Sequence, residues 1–569
     1  MRKTRLKRWI PATALAVVLA ASTACGGDDG MSRVNVNLYG WTPDGGEQAG
    51  FVDGIPEYPG AFQVRVKVTQ PDGREILTER NFAIDDRRAT LPELPPGEGL
   101  RMDFEVRDSS GVVASGNTPA FSVGEDPVFR VFRTLISPVN DFAPVGQMVR
   151  VQGSADQRLV QSRFDGRALD ESLARVGHTA TVTRSGQILI VGGGDVSLFH
   201  QPASFPNLQT VLRDIQVFDP ATGYFTELAG DDAARGAGEI GTDRLHVPRA
   251  FHTVTDLGND RYLVVGGYEL VGNIMQASRA IEVIDLRARP GSRVQRLNDV
   301  SGTPLRLQEG RAMHTATLRT QDGRVVIAGG LGSDSGAVRN TVEVINPNPL
   351  NARVETGISM QDPRVGHSAV LMEDGQTVWL LGGKSNEEVL SSTEIIVLGE
   401  EGSSSEDAAP LSRARYGASV FHLGAAANQL VAVMGGFTGL TGGATTSIEL
   451  GRPDTSLQGN DSWRFAQARG NAGLVQLGQS RDLLLVGGLD PDFDIVPSVE
   501  RLRFQGLEAV NPFSVDDPQG SMYQQRSGFA VAPVSSGRVL LVGGQGRNEG
   551  ARSDAEYFNP RDPVIPPRR

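Results

Sequence analysis

The 569-residue chain has one cysteine, four lysines and only 6% aromatic residues. A single cysteine excludes any internal disulfide framework. The lysines are Lys3, Lys7, Lys67 and Lys384, so nearly every basic residue is arginine, a coding bias from which no function is read. No apolar run reaches the roughly 20 residues that a membrane-spanning helix needs. A His-Glu-x-x-His zinc motif and a Gly-x-Ser-x-Gly nucleophile elbow are both missing. Positive charge is also short, at 55 basic against 67 acidic residues and a formal net charge of -12. Without the five cationic residues of the leader the balance is 50 against 67, or -17, and no basic stripe is present. Nucleic acid is therefore excluded as a partner.

What the chain does have is glycine (69) and proline (32). That composition favours short strands joined by tight turns over helical bundles. The length exceeds what one hydrophobic core serves, so several domains or a repeat array are expected.

Arg2, Lys3, Arg5, Lys7 and Arg8 precede an apolar stretch from Ile10 to Ala21. This is the charged and hydrophobic pattern of an export signal. Ser22-Thr23-Ala24 then leads into the sole cysteine, Cys25, followed by Gly26-Gly27-Asp28-Asp29. The segment resembles the lipobox of bacterial lipoproteins. That resemblance implies cleavage of residues 1–24, acylation of Cys25 with palmitate-type chains, and a tether over 25–32. Ser22 stands where the family has leucine, and cleavage after Ala24 by an ordinary signal peptidase is the rival reading. Acylation accounts for a lone exported cysteine that a disulfide cannot. Gly26 in second position lacks the aspartate that retains enteric lipoproteins in the inner membrane. The expected location is thus the outer membrane of a Gram-negative envelope.

Between residues 33 and 136, apolar and polar residues alternate in short runs: Val34 to Leu38, Phe62 to Val68, Ile76 to Ile84, Leu100 to Val106 and Val128 to Ile136. Period-2 patterning marks half-buried strands, and Pro71-Asp72-Gly73 and Ser109-Ser110-Gly111 mark turns between them. The expectation is a small immunoglobulin-like sandwich. Residues 137–165 form a linker.

From 166 to 560 the sequence repeats. Seven glycine pairs each end an apolar run: Gly192-Gly193, Gly266-Gly267, Gly329-Gly330, Gly382-Gly383, Gly435-Gly436, Gly487-Gly488 and Gly543-Gly544. Upstream by 17 to 22 residues stand Arg175, Arg249, Arg311, Arg364, Arg413, Arg469 and Arg526. Three residues past these arginines come His178, His252, His314 and His367, then Tyr416, Ala472 and Phe529. Downstream, Gln216 is followed in later repeats by Glu282, Glu343, Glu394, Glu449, Glu500 and Glu556. A period of about 50 residues indicates a propeller or solenoid whose units cannot bury their own faces.

These residues resemble Kelch repeats, in which a strand ending in Gly-Gly is followed by an acidic strand and an aromatic; Asp219-Pro220-Ala221-Thr222-Gly223-Tyr224-Phe225 matches the pattern best. The resemblance implies an all-β fold, a seven-bladed Kelch-type propeller behind the sandwich. The nine residues of the 561–569 tail are too few for another strand, so a segment between Met148 and Phe164 is expected to close the last blade.

The glycine, arginine and glutamate series read as framework. The histidines fall on different repeats, which argues against a metal site, and no cofactor is expected. Asp490-Pro491-Asp492-Phe493-Asp494 imitates a calcium loop but has Arg501 where the twelfth-position glutamate belongs. Gly236 to Gly241 spells a dinucleotide fingerprint without a preceding strand. Copper-radical oxidases within the Kelch family need a cysteine joined to a tyrosine, and Cys25 is in the leader, which excludes that branch. Function is then expected where the repeat breaks. The first unit carries an apolar insertion with Leu198, Phe199 and Phe205, a candidate partner contact. The leading expectation is a non-enzymatic envelope lipoprotein binding a protein or glycan. The alternative is a carbohydrate lyase or sugar epimerase working at the channel mouth, for which non-repeated side chains converging there would be the sign.

Overall fold

The computed structural model describes residues 18–21, 34–42, 50–53, 61, 63–70, 75–83, 88–91, 97–118, 121–123, 130–150 and 157–161. It further describes 174–196, 208–220, 224–228 and 243–560, less 334–335, 400–402, 425–428, 478–481, 507–511, 517–518, 523, 535–537, 548–549 and 553. Every regular element among them is a β-strand. Among the described residues no helix is long and apolar enough to cross a membrane. Cys25, the insertion residues Leu198, Phe199 and Phe205, and Gly236 to Gly241 lie outside the described residues. Two compact bodies result: Met1–Gln161 with Pro220–Gly223 and Asn559–Arg561, and Ser162–Asp219 with Tyr224–Phe558 and Asp562–Arg569.

In the first body the alternating runs become strands. Gln63–Thr69 buries Val64, Val66 and Val68 and turns the intervening residues outward. Glu75–Ala83 pairs with it on one side and Gly97–Asp108 on the other, the latter burying Leu100, Met102, Phe104 and Val106. Gly111–Asn117 follows through the Ser109-Ser110 turn, where Asp108 Oδ1 accepts the Ser110 and Gly111 amides. Not every partner is antiparallel. Arg130–Pro138 runs parallel to Val34–Thr42, a crossover that alternation cannot reveal. Val18–Ala21, the end of the apolar leader stretch, pairs with both 35–37 and 88–91.

The stretch expected to close the propeller contains a hairpin of its own. Gly146–Arg150 pairs in register with Gln157–Gln161, so this part of 148–164 spends its ladder bonds on itself. Also in the first body, the Asn559 carbonyl accepts the Asn140 amide at 2.7 Å. The Asn559 side chain donates to the carbonyls of Ser137 and Pro138.

The second body is built of small antiparallel sheets, one per repeat. In the third repeat Thr315–Leu318, Val325–Ala328, Thr341–Asn346 and Arg353–Ser359 pair in that order. The first, second and fourth to sixth repeats pair four strands likewise. Second strands such as Ile188–Val191, Val378–Leu381 and Leu483–Val486 are apolar on both faces and buried throughout. A strand buried on both faces needs a neighbour on each side. Successive repeats provide it: Leu189, Val191 and Ile215 pack with Tyr262, Val264 and Ile284, and Val326, Val342 and Val344 pack with Val378, Leu380 and Ile396. The first strands of consecutive repeats touch in turn, and that of the seventh, Ala530–Pro533, touches that of the first, Thr179–Val182. The sheets thus close into a ring, a propeller-type fold.

The glycine pairs sit at the joints of this ring. In six of the seven pairs the second glycine amide donates to the carbonyl of the next repeat's arginine: Gly193 to Arg249, Gly267 to Arg311, Gly330 to Arg364, Gly383 to Arg415 and Gly436 to Arg469, while Gly544 returns to Arg175 at 2.9 Å. A Cβ on Gly382, whose φ is +58°, would lie 2.4 Å from the Arg415 carbonyl oxygen. Both sterics and positive φ demand glycine there.

Candidate functional site: the repeat-breaking residues of the ring

Among the described residues of the second body seven arginines are fully buried, and they hold it together. Arg311 Nη1 donates to the carbonyls of Gly329 and Thr341, while Nη2 donates to Glu343 at 2.7 Å. Glu343 also accepts the backbone amides of Gln308 and Glu309. The same constellation joins Arg249 to Glu282, Arg364 to Glu394, Arg415 to Glu449, Arg469 to Glu500 and Arg526 to Glu556. Each guanidinium therefore fixes the glycine turn, and each carboxylate fixes the approach to its own arginine. These groups are consumed by the scaffold.

One member of the sequence series needs correcting. Arg413 is exposed, and Arg415 occupies the buried position, with Nη1 2.9 Å from the Gly435 carbonyl. The residue three positions on is consequently Ala418, and Tyr416 belongs to the neighbouring register beside Val176, Ala250, Ala312 and Val365. The 22-residue spacing to Gly435, the longest of the seven, was the available signal. Arg415→Ala is expected to lower the denaturant midpoint by the equivalent of about 3–5 kcal/mol, and Arg413→Ala by less than about 0.5 kcal/mol. Chemical denaturation of the two variants separates the assignments.

The histidines tie one repeat to the one before. His314 Nε2 meets Thr253 Oγ1 at 3.0 Å, His367 Nε2 meets Thr315 Oγ1 at 2.9 Å, and His178 Nε2 meets the Val542 carbonyl at 3.0 Å. Where histidine is replaced, the hydroxyl at the threonine position turns to a carbonyl instead, as in Ser368 to Ala418 and Ser419 to Ala472. Burial pushes His178, His314 and His367 down to about 3, and the nearby arginines add to this; His252 is likewise held well below its ordinary value. All four are neutral at physiological pH.

The first repeat departs from the pattern. Its acidic position is Gln216, fully buried, and both atoms of the carboxamide lack a hydrogen-bond partner among the described residues. The Thr179 hydroxyl and His252 Nε2, the counterparts of the Thr253–His314 pair, also lack partners there. Gln216→Glu restores the residue type of the other six repeats beside buried Arg175. It is expected to raise the thermal midpoint by the equivalent of about 1–3 kcal/mol, as read by calorimetry.

A second set of irregularities lies at the ring's inner turn, two residues past each arginine. All seven residues there have positive φ: Gly177, Phe251, Met313, Gly366, Gly417, Asn471 and Gly528, between 52° and 64°. Backbone hydrogen bonds link neighbours, with the Phe251 amide on the Gly177 carbonyl, Met313 on Phe251, Gly417 on Gly366 and Asn471 on Gly417. Glycine suits this conformation at no steric cost, whereas a bulky side chain costs about 1–2 kcal/mol. Phe251 and Met313 occupy it nonetheless, side by side and half-buried. Their rings and chains pack on the cluster of Ala250, Tyr268, Ala312, Leu331 and Val365.

Neighbouring registers carry Lys384, directly after its glycine pair, and Tyr416, directly after Arg415. Lys384 exchanges both backbone bonds with Val365, at 3.0 and 2.9 Å, and its Nζ lies 5.0 Å over the Tyr416 ring. Burial lowers the Lys384 ammonium from its ordinary value and pushes the Tyr416 phenol up to about 12. Tyr416 stacks on Phe437, and Phe437 on Phe493. Asp490, from the calcium-like motif, accepts the amides of Asp492 and Asp494 and so closes its own turn. Two hairpins on loops of this register carry exposed apolar tips, Val271 and Ile274 in one and Leu440 in the other. Lys384, half-buried over an aromatic ring, has no counterpart in the other repeats, so the recurring pattern gives no sign of it.

No family model matches the chain, and no curated protein matches it. Among solved structures it is similar to a fungal alcohol oxidase of the AA5 family determined in complex with copper, at 15% identity and a TM-score of 0.48, over 68% of this chain and 74% of that one. It is also similar to the protein YjhT, at 14% identity and a TM-score of 0.39, over 60% of this chain and 98% of that one. Neither likeness transfers a residue or an activity.

Proposed function

We propose that this chain is an exported lipoprotein, anchored to a Gram-negative envelope through acylated Cys25, that presents a seven-bladed Kelch-type propeller as a binding scaffold for a protein or glycan. A small immunoglobulin-like domain serves as spacer in this reading. One observation supports it: the recurring arginines and glutamates are spent on buried structural pairs, which leaves variation to the turns, where Phe251, Met313, Lys384 and Tyr416 break the repeat. A rigid ring with variable residues on its turns is a recognition scaffold.

The anchor is tested by mass spectrometry of the mature N-terminus and by Cys25→Ala. The variant is expected to leave the membrane fraction, and retention there would remove the lipoprotein reading. The scaffold is tested by capture of partners from envelope extract with the mature chain and with a 197–208 deletion. Loss of a partner at an unchanged thermal midpoint is expected. Turnover of an envelope glycan by the purified chain would instead establish the lyase or epimerase alternative.

A further inference from the structure

We infer that removal of the leader opens a strand slot in the first body, and that this slot takes an extended segment of a partner protein with an apolar residue at its centre. The inference rests on the export reading only in needing cleavage before Cys25. Either signal peptidase meets that need, and lipidation is not required.

The slot follows from the strand order. Val34–Thr42 is paired along one edge with Arg130–Pro138, through residues 34–40. Its other edge is shared: Gly50–Asp53 covers residues 39–42, and Val18–Ala21 covers 35–37. Val18–Ala21 also runs parallel to Arg88–Leu91 in four successive pairs, and among the described residues Arg88–Leu91 joins the sheet only through it. A strand of four residues inside the leader thus bridges two strands that stay in the mature chain. Cleavage after Ala24 takes it away. What remains is an open edge at 35–37 and a detached strand at 88–91. Unpaired donors and acceptors on a strand edge are a template for another strand.

The register states what fits. The middle rung is apolar across all three strands, with Val36, Leu19 and Ala89. The rungs on either side set Val18 between Asn37 and Arg88, and Ala20 between Asn35 and Thr90. Residues in one rung are cross-strand neighbours, and their match stabilises the pairing. An incoming strand therefore needs an aliphatic residue at the middle rung and tolerates small neutral ones beside it. It must also run antiparallel to 35–37 and parallel to 88–91, which fixes its direction. Main-chain bonds supply affinity in this mode of recognition, and the middle residue supplies selectivity. The occupant is a protein rather than a glycan or lipid, because only a polypeptide carries donors and acceptors at the spacing of both flanking strands.

The test compares the 569-residue precursor with the mature chain that begins at Cys25. The probe is a labelled peptide of residues 15–23, Leu-Ala-Val-Val-Leu-Ala-Ala-Ser-Thr, followed by fluorescence anisotropy. The mature chain is expected to bind it, and the precursor, whose slot is filled, at least about tenfold more weakly. Leu19→Pro in the peptide removes a ladder donor, and Leu19→Asp places a charge in the apolar rung. Each is expected to weaken binding at least about tenfold, while Ala20→Ser binds as the parent does. Amide exchange read by mass spectrometry is expected to show 35–37 and 88–91 protected in the precursor, exchanging in the mature chain, and protected again with the peptide. No binding to the mature chain, or equal binding to both forms, overturns the inference. So does protection of 35–37 in the mature chain without peptide, which means that Arg88–Leu91 closes directly onto Val34–Thr42. Dimerisation of the mature chain that the peptide abolishes assigns the slot to a second copy and overturns the partner assignment. These failures leave the export reading intact. Residues 1–24 retained on the exported protein, read from the mass of its N-terminus, overturn that reading and the inference with it.

Discussion

Acidification from pH 6.5 towards pH 4.5 is expected to unfold the second body, well before most of its carboxylates are protonated. The reason is the ring of neutral histidines. In the unfolded chain each titrates near 6.5, whereas in the native state His178, His314 and His367 are held down to about 3 and His252 well below its ordinary value. Between those limits the unfolded chain binds protons that the native chain refuses, so stability falls as the pH falls. Each histidine contributes about 1.4 kcal/mol per pH unit across that window. Four together amount to about 5.6 kcal/mol per unit, against total stabilities of about 5–15 kcal/mol for a domain. Glu556, whose carboxyl is raised by burial, works in the opposite direction, but it is one group against four. Denaturant midpoints followed from pH 7 to pH 5 read the slope directly. Replacing His314 and His367 with alanine, the residue found at 418 and 472, is expected to remove two protons' worth of slope. An unchanged slope would mean that these imidazoles are not protected in the native state.

Arg364→Met is expected to destabilise the second body by about 3–5 kcal/mol. The guanidinium lies fully buried between the Gly382 and Ser392 carbonyls and Glu394. Removing it strands a carboxylate that is 0% exposed, and leaves the glycine turn without its tie to the third strand. Coulombic loss in a dry setting is the larger part, because Glu394 keeps its amide donors at Gln361 and Asp362. Arg364→Met combined with Glu394→Leu removes both charges and is expected to recover much of the loss, since paired apolar replacement avoids the orphaned ion. Equilibrium denaturation of the single and double variants forms the cycle. Equal loss in both would assign the cost to packing rather than to charge.

How far such features are legible in sequence depends on whether they recur. The alternation at Val64, Val66 and Val68 and the apolar second strands ending in glycine pairs report burial directly, because side-chain direction follows the strand period. The arginine and glutamate series is legible for the same reason: identical joints need identical groups. Arg413 misleads because Arg413-Ala414-Arg415-Tyr416 offers two arginines, and Tyr416 three residues past the first imitates the histidine register. Only the three-dimensional distance to Gly435 resolves them. The parallel pairing of Arg130–Pro138 with Val34–Thr42 has no local signature, since register between distant strands is settled by tertiary packing. Phe251 and Met313 are the sharpest case. Nothing in either residue announces positive φ; the hint was the glycine between arginine and histidine in sister repeats, at Gly177 and Gly366, and only the backbone angles show that Phe251 and Met313 share its conformation.

The bond from the Gly544 amide to the Arg175 carbonyl has a consequence for biogenesis. A chain synthesised from its N-terminus delivers the first repeat long before the seventh, and the two must wait for each other across most of the sequence. Contacts so distant along the chain are slow to form, and until they do the apolar flank of the first sheet is open to other chains. Premature termination before residue 540 is therefore expected to abolish the assembled ring rather than shorten it by one sheet. Until the seventh repeat is made the chain is an unfinished circle, and the final glycine pair is the clasp that closes it.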